Sequence, residues 1–163
     1  MDDRVRKPRG RKWLFWLLAV LVIIGVTFVT GMWFADRGER TVAAVTDSYA
    51  AAYGGLDTTK DVPGLLTLYA PDAILRDAAT NRTYTGPTEI KKTLDAILAT
   101  PDFNLTIERT LVGDDWALVF WTADGIRPDL GRVTQVIGVT SLEISNGKIE
   151  NETWYYDPAK APF

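Results

Sequence analysis

RVTQVIGVTSLEISNGKIENETWYY, Arg132 to Tyr156, reads as two long strands around one tight turn. Asn146-Gly147 is the dipeptide best suited to a two-residue hairpin, because both residues tolerate the positive φ that such a turn demands. β-branched and aromatic residues fill both arms, Arg132–Ser145 and Lys148–Tyr156, as strand pairing favours. Ahead of them, Trp116–Ala123 is an aromatic and aliphatic strand, with Gly125–Gly131 (GIRPDLG) as a wider loop behind it and Gly113-Asp114-Asp115 as the turn before it. Leu105, Ile107 and Leu111 alternate with Thr106, Glu108 and Thr110, which adds a fourth strand of period two.

Before Phe103 the period lengthens. Val42, Val45, Tyr49 and Ala52/Tyr53 recur every three or four residues, which predicts a helix over 36–53 stopped by Gly54-Gly55. A polar loop, Asp57-Thr58-Thr59-Lys60, leads to a second helix with Asp61 as N-cap and Pro63 in its first turn. Its buried side would be Leu65, Leu66, Leu68 and Tyr69, and Pro71 would end it. Ile74–Ala78 and Arg82–Thr85 read as short strands around Thr80-Asn81, and Gly86-Pro87 opens a third helix burying Ile90, Leu94, Ile97 and Leu98. Helices followed by a meander of long antiparallel strands make an α+β order, with the helices covering one face of a curved sheet.

Residues 13–35, WLFWLLAVLVIIGVTFVTGMWFA, hold 23 positions without a charge. As a helix they span roughly 34 Å against a hydrocarbon core of about 30 Å. Trp13, Phe15 and Trp16 at one end and Trp33 and Phe34 at the other match an aromatic belt. Residues 1–12 carry six basic side chains against Asp2 and Asp3. The positive-inside bias therefore predicts a cytoplasmic tail (1–12), a signal-anchor span (13–35) and an exported domain (36–163, core about 41–158) at the outer face of a cell membrane, with the lipid bilayer as its first partner. The competing reading is a signal peptide cleaved before Met32, which this run exceeds in length.

The chain has a formal charge of −3, and its excess of positive charge lies in the tail, so the exported part is acidic and offers no footprint for nucleic acid. It has no cysteine and no histidine, which excludes disulfides, thiolate metal sites, catalytic triads and imidazole acid–base work. Asp114-Asp115 is a turn rather than a metal site, and no phosphate loop or dinucleotide fingerprint is present, so neither metal nor cofactor is expected. Any acid–base chemistry falls to carboxylates, tyrosine or lysine.

YAPDAILRD (Tyr69–Asp77), TYTGPTEIKKTL (Thr83–Leu94) and the closing LEISNGKIENETWYYDP (Leu142–Pro158) resemble the nuclear transport factor 2-like superfamily, in its SnoaL-like and ketosteroid-isomerase-like branch. The resemblance covers about residues 41–158. It implies a cone-shaped, curved antiparallel sheet wrapped on three N-terminal helices, a pocket between them, and frequent dimerisation through the outer face of the sheet. Fold alone does not fix activity here.

The resemblance puts Asp77 where the isomerase branch carries its general base. The ordinary alternative is a turn cap, or a rim ion pair with Arg76 or Arg82. Tyr49 falls at the position of the oxyanion tyrosine, with Tyr53 as the other choice and a plain core aromatic as the alternative. The second oxyanion acid of the branch would fall at or near Thr140, and a threonine is a far weaker donor. Period two puts Glu152, Trp154 and Tyr156 on one face, which the resemblance makes the pocket face; the opposite parity makes Glu152 a solvated strand residue. Trp121 completes the expected aromatic lining.

Two functions follow from this reading. One is a tethered cone that binds a small hydrophobic ligand, with carboxylate acid–base chemistry as an extension. The other is a non-catalytic assembly module of a cell-envelope complex, working as a homodimer or with an envelope partner, since anchored domains of this fold recur in bacterial secretion and lipid import, including Mce-associated proteins. Reporter fusions placed after Phe163 are expected to be active only outside the cytoplasm. A mature protein starting near Met32 and released into the medium would overturn the anchor.

Overall fold

Alternation of apolar and polar residues after Phe103 becomes a single open sheet in the computed structural model, which describes residues 41–127 and 129–163. The expected tail and membrane span, residues 1–35, lie outside the described residues, as does the start of the first helix. Among the described residues no helix is long and apolar enough to cross a membrane.

The helix α1 is described over 41–54. It is followed by α2 (Leu56–Thr59), α3 (Val62–Leu66), β1 (Tyr69–Asp77), β2 (Arg82–Thr85), α4 (Gly86–Leu98), β3 (Asn104–Val112), β4 (Trp116–Arg127), β5 (Arg132–Ser145) and β6 (Lys148–Tyr156). Strand order is β2-β1-β6-β5-β4-β3. The β3–β6 meander is antiparallel, and β1 joins it by pairing parallel to β6. The architecture is α+β, as the element order predicts.

Local chemistry explains most boundaries. Asp61 caps α3 by accepting from the Gly64 amide at 2.9 Å, with Pro63 in the first turn. Asn146 (φ 51°) and Gly147 (φ 72°) form the left-handed pair that closes the β5–β6 hairpin. Thr41 packs beside that turn: its Cγ2 lies 3.5 Å from where a Cβ on Gly147 would stand.

Four expectations are corrected. The second helix stops at Leu66, and Tyr69 opens β1 instead of closing the helix. Pro71 lies inside that strand, where the β1–β6 register shifts between Tyr69 and Ile74, so its missing N–H costs no regular ladder bond. The polar segment 57–60 holds a one-turn helix, closed by Lys60 in a left-handed conformation. Gly125, Ile126 and Arg127 extend β4 rather than opening a loop. Past residue 158, Ala161 and Pro162 are buried as well.

Pairing aligns the inward side chains in rows across the sheet. Leu75, Glu152, Leu142 and Ala117 form one row; Asp77, Trp154, Thr140 and Val119 the next; Tyr156, Gly138 and Trp121 the third. On β6 the alternation is interrupted: Ile144 pairs with Ile149 but Glu143 with Asn151. The bulge inserts one extra residue, which lets Ile149 and Glu152 both face inward although they are three apart.

Gly138 on β5 makes room for the ring of its cross-strand partner Trp121 on β4. A Cβ there would lie 2.2 Å from the Trp121 ring, which is itself buried and held by its Nε1 donating to Thr140 Oγ1 at 2.9 Å. The indole rests on a bare backbone and has no room to retreat. Gly138→Ala is therefore expected to destabilise by about 1–3 kcal/mol, read as a lower urea midpoint. An unchanged midpoint would show that the ring can move.

Candidate functional site

The interior between α1 and the sheet is organised by one carboxylate. Glu152 is fully buried. Its Oε1 accepts from the Tyr49 hydroxyl at 2.5 Å and from Trp154 Nε1 at 2.6 Å, and its Oε2 accepts from the Tyr69 hydroxyl. Burial pushes the Glu152 carboxyl above its ordinary value, and the three donated hydrogen bonds, which favour the charged form, hold that rise back. The phenols of Tyr49, Tyr53 and Tyr69 are all raised well above the usual range, first by burial and next by the nearby Glu152. They stay neutral, and Tyr49 and Tyr69 donate. Tyr53 stacks on Tyr49, with ring centroids 5.1 Å apart and 13° between planes.

One row further along the sheet sits Asp77, almost fully buried at the end of β1. Oδ1 accepts from the amides of Ala79 (3.0 Å) and Thr80 (3.1 Å), an Asx turn that starts the β1–β2 connection. Oδ2 accepts from Thr80 Oγ1 at 2.6 Å and from the Tyr156 hydroxyl at 2.9 Å. Asp77 is thus both the turn cap and part of the interior network; it makes no ion pair with Arg76 or Arg82 among the described residues. Every lone pair has a donor, so the carboxylate could take a substrate proton only after Thr80 or Tyr156 turned away. The Tyr156 phenol is raised, by burial and then by its bond to Asp77, while Arg82 pulls it down.

Beside Asp77 and Tyr156 opens a cavity of about 370 Å3. One wall is the β1–β2 hairpin, through Asp77, Thr80, Arg82 and Tyr84; a second is α4 and the turn after it, from Thr93 and Ile97 to Pro101. Trp154 and Tyr156 form the floor on β6, and the closing tail contributes Pro162 and Phe163. That tail is pinned by Arg127 Nη1, which donates to the Ala159 carbonyl at 2.7 Å. Phe163 packs edge-on against Tyr156 (5.5 Å) and Phe103 (6.1 Å). Aromatic faces with a few convergent polar groups are what small-molecule sites use.

Of the residues expected at the site, Asp77, Trp154 and Tyr156 line this cavity. Tyr49, Tyr53, Trp121, Thr140 and Glu152 do not: they pack behind it as core. Tyr49 spends its proton on Glu152, and Thr140, whose oxygen accepts from Trp121, does not border the cavity, so neither hydroxyl is placed as an oxyanion donor would be. Sequence reasoning missed Tyr69, Arg82, Tyr84, the inner face of α4 and the tail. Carrying period two back from Asp77 through Pro71 would have exposed Tyr69, and the apolar Ala161-Pro162-Phe163 was the available signal for the tail.

Residues 45–152 match the SnoaL-like domain family. Among solved structures, a protein with a ketosteroid isomerase-like fold from Catenulispora acidiphila, in complex with trimethylamine, superposes with a TM-score of 0.61 at 22% identity, over 72% of this chain and 88% of that one. A candidate SnoaL-like polyketide cyclase from Shewanella putrefaciens gives 0.56 at 22% identity, over 69% and 79%. A nuclear transport factor 2-like protein from Anabaena variabilis gives 0.63 at 12% identity, over 74% and 92%. At these identities the likeness is one of fold. No curated protein sequence matches the chain.

The folded state binds the Glu152 proton more tightly than the unfolded chain does. Its contribution to stability is therefore full below the ordinary carboxylate value of 4.5 and is lost as pH rises through the raised folded value. Glu152→Gln copies the neutral acid and is expected to flatten that decline, measured as urea midpoints from about pH 5 to about pH 8. Glu152→Ala strands three buried donors and is expected to cost about 3 kcal/mol or more. A pH slope unchanged in Glu152→Gln would show that another group carries it.

Proposed function

We propose that this chain, which belongs to the SnoaL-like domain family, binds a small and largely apolar ligand in the Asp77–Tyr156 cavity, held at the outer face of a membrane by residues 13–35. The observation that carries the reading is the cavity itself: a space of about 370 Å3 with an aromatic floor and an aliphatic helix wall, beside a hydrogen-bonded polar pair. Supporting it, Tyr49, Trp121, Thr140 and Glu152 behind the floor are buried, so the cavity is bounded on that side by the chain's own side chains.

The arrangement supports binding ahead of catalysis. A general base needs a free lone pair near the substrate, and Asp77 presents none in this state. Acid–base turnover would require ligand entry to displace the Tyr156 or Thr80 hydroxyl and uncover Oδ2. A ligand hydroxyl that accepted that exchange would stand where a proton could move.

A second reading, an assembly module, draws on the opposite face of the sheet. Ile137 is 72% exposed there, with Tyr155 also exposed and Val139 and Phe120 partly so beside it. An unpaired apolar face of this kind suits a second copy or an envelope partner. Ile137→Glu is expected to break such a complex while leaving the cavity occupied.

Titration with N-phenyl-1-naphthylamine, a neutral apolar fluorophore, is expected to show one saturable site. Ile97→Trp, which extends a ring from α4 into the cavity, is expected to weaken binding about tenfold or more, with far-UV circular dichroism unchanged. Absence of saturation, or binding indifferent to Ile97→Trp, would overturn the ligand-binding reading.

A further inference from the structure

We infer that the ligand of this cavity is an organic acid: a compact aliphatic or aromatic body lying against α4 and the tail, with its carboxylate on Arg82. The inference rests on the reading above that the cavity binds a small apolar molecule, and names its class.

Two charged side chains border the cavity, Asp77 and Arg82. They are cross-strand partners that flank the turn of the β1–β2 hairpin, so the backbone fixes both at one edge of the opening. Their hydrogen-bonding states are opposite. Asp77 has its acceptors filled by two amides and two hydroxyls. Arg82 makes no side-chain hydrogen bond or ion pair among the described residues, which leaves the donors of its guanidinium open. Its charge is nevertheless felt at the cavity floor, where it opposes the effect of Asp77 on the Tyr156 phenol.

An entering molecule therefore meets unfilled donors and filled acceptors. A cation would find no spare lone pair on Asp77 and would be repelled by Arg82. A neutral molecule would leave the guanidinium with water alone. A carboxylate can engage two guanidinium N–H groups at once, a bidentate geometry that a lysine at this place could not give. Arg82 is exposed at the rim, not sunk in the floor. The acid group can keep part of its hydration there, which avoids the heavy cost of burying a charge. The apolar body meets Ile97, Pro101, Pro162 and Phe163, none of which offers a polar side-chain atom.

The test uses the full chain in nanodiscs and three probes of matched size: 2-(1-naphthyl)acetate, 2-(1-naphthyl)ethanol and 2-(1-naphthyl)ethylammonium, each titrated by calorimetry. The acid is expected to bind about tenfold tighter than the alcohol, and the ammonium weakest. Arg82→Gln is expected to bring the acid-to-alcohol ratio close to one, and Arg82→Lys to restore only part of it. Arg76→Gln, an exposed arginine on the same hairpin that does not border the cavity, is expected to leave the ratio intact. An alcohol or ammonium that binds as well as the acid overturns the assignment, and so does a ratio indifferent to Arg82→Gln; trimethylamine in the Catenulispora structure makes the ammonium arm a real competitor. If none of the three probes binds, it is the ligand-binding reading itself that fails.

Discussion

A carboxylate sealed inside an apolar sheet is costly, and the fold around Glu152 can be understood as the set of partners that makes it tolerable. Tyr49 comes from α1, Tyr69 from the start of β1 and Trp154 from β6, so three elements far apart in sequence converge on two oxygen atoms. Each donor is itself buried. Removing any one would strand a polar group in a medium that cannot solvate it. The interaction therefore contributes specificity as well as energy: α1 has one rotation about its axis that delivers Tyr49, and β1 has one register on β6 that delivers Tyr69.

The same bonds shape the cavity. Trp154 forms part of its floor, and its indole is oriented by the bond to Glu152 from behind. Tyr156 forms the rest and is oriented by Asp77. Two buried carboxylates thus hold two aromatic rings by their polar edges, and the apolar faces are left to meet a ligand. This division is unlike that of an acid–base site, where the carboxylate is presented and the aromatic rings support it. Asp77 and Tyr49, the two residues the sequence offered for chemistry, serve here as fasteners.

The strand half of the molecule was legible from its period. Alternation, the Asn146-Gly147 turn and the Gly113–Asp115 turn define β3 to β6 to within a few residues, because those signals are local. β1 was cut short because Pro71 argues against a strand, and only its parallel pairing with β6, a contact between distant segments, shows the proline at an irregularity. Glu152 was ambiguous for a related reason: the bulge between Ile149 and Glu152 breaks the alternation that would have fixed its face. Asp77, Trp154 and Tyr156 border the cavity, whereas Tyr53, Trp121, Thr140 and Glu152, expected to line it, and Tyr49, a catalytic candidate, pack as core. Sequence gives the face of a strand, but not how far down a cone its side chains fill the space. Arg82 was read only as a rim partner of Asp77, and Phe163 was passed over, because an exposed turn arginine and an apolar tail have no periodicity to mark them.

The parallel run of β1 and β6 gives the domain two unlike poles. Both strands set out from the pole where Thr41 sits against the Gly147 turn, and both end at the pole that holds Asp77, Trp154 and Tyr156. A nine-residue strand separates the poles by about 30 Å. The described residues begin at one and the cavity opens at the other, like the stem and the bowl of a pipe. The bowl is built from residues that all come later in the chain, so substitutions that reshape it need not touch the Thr41 pole, and the two ends can diverge independently.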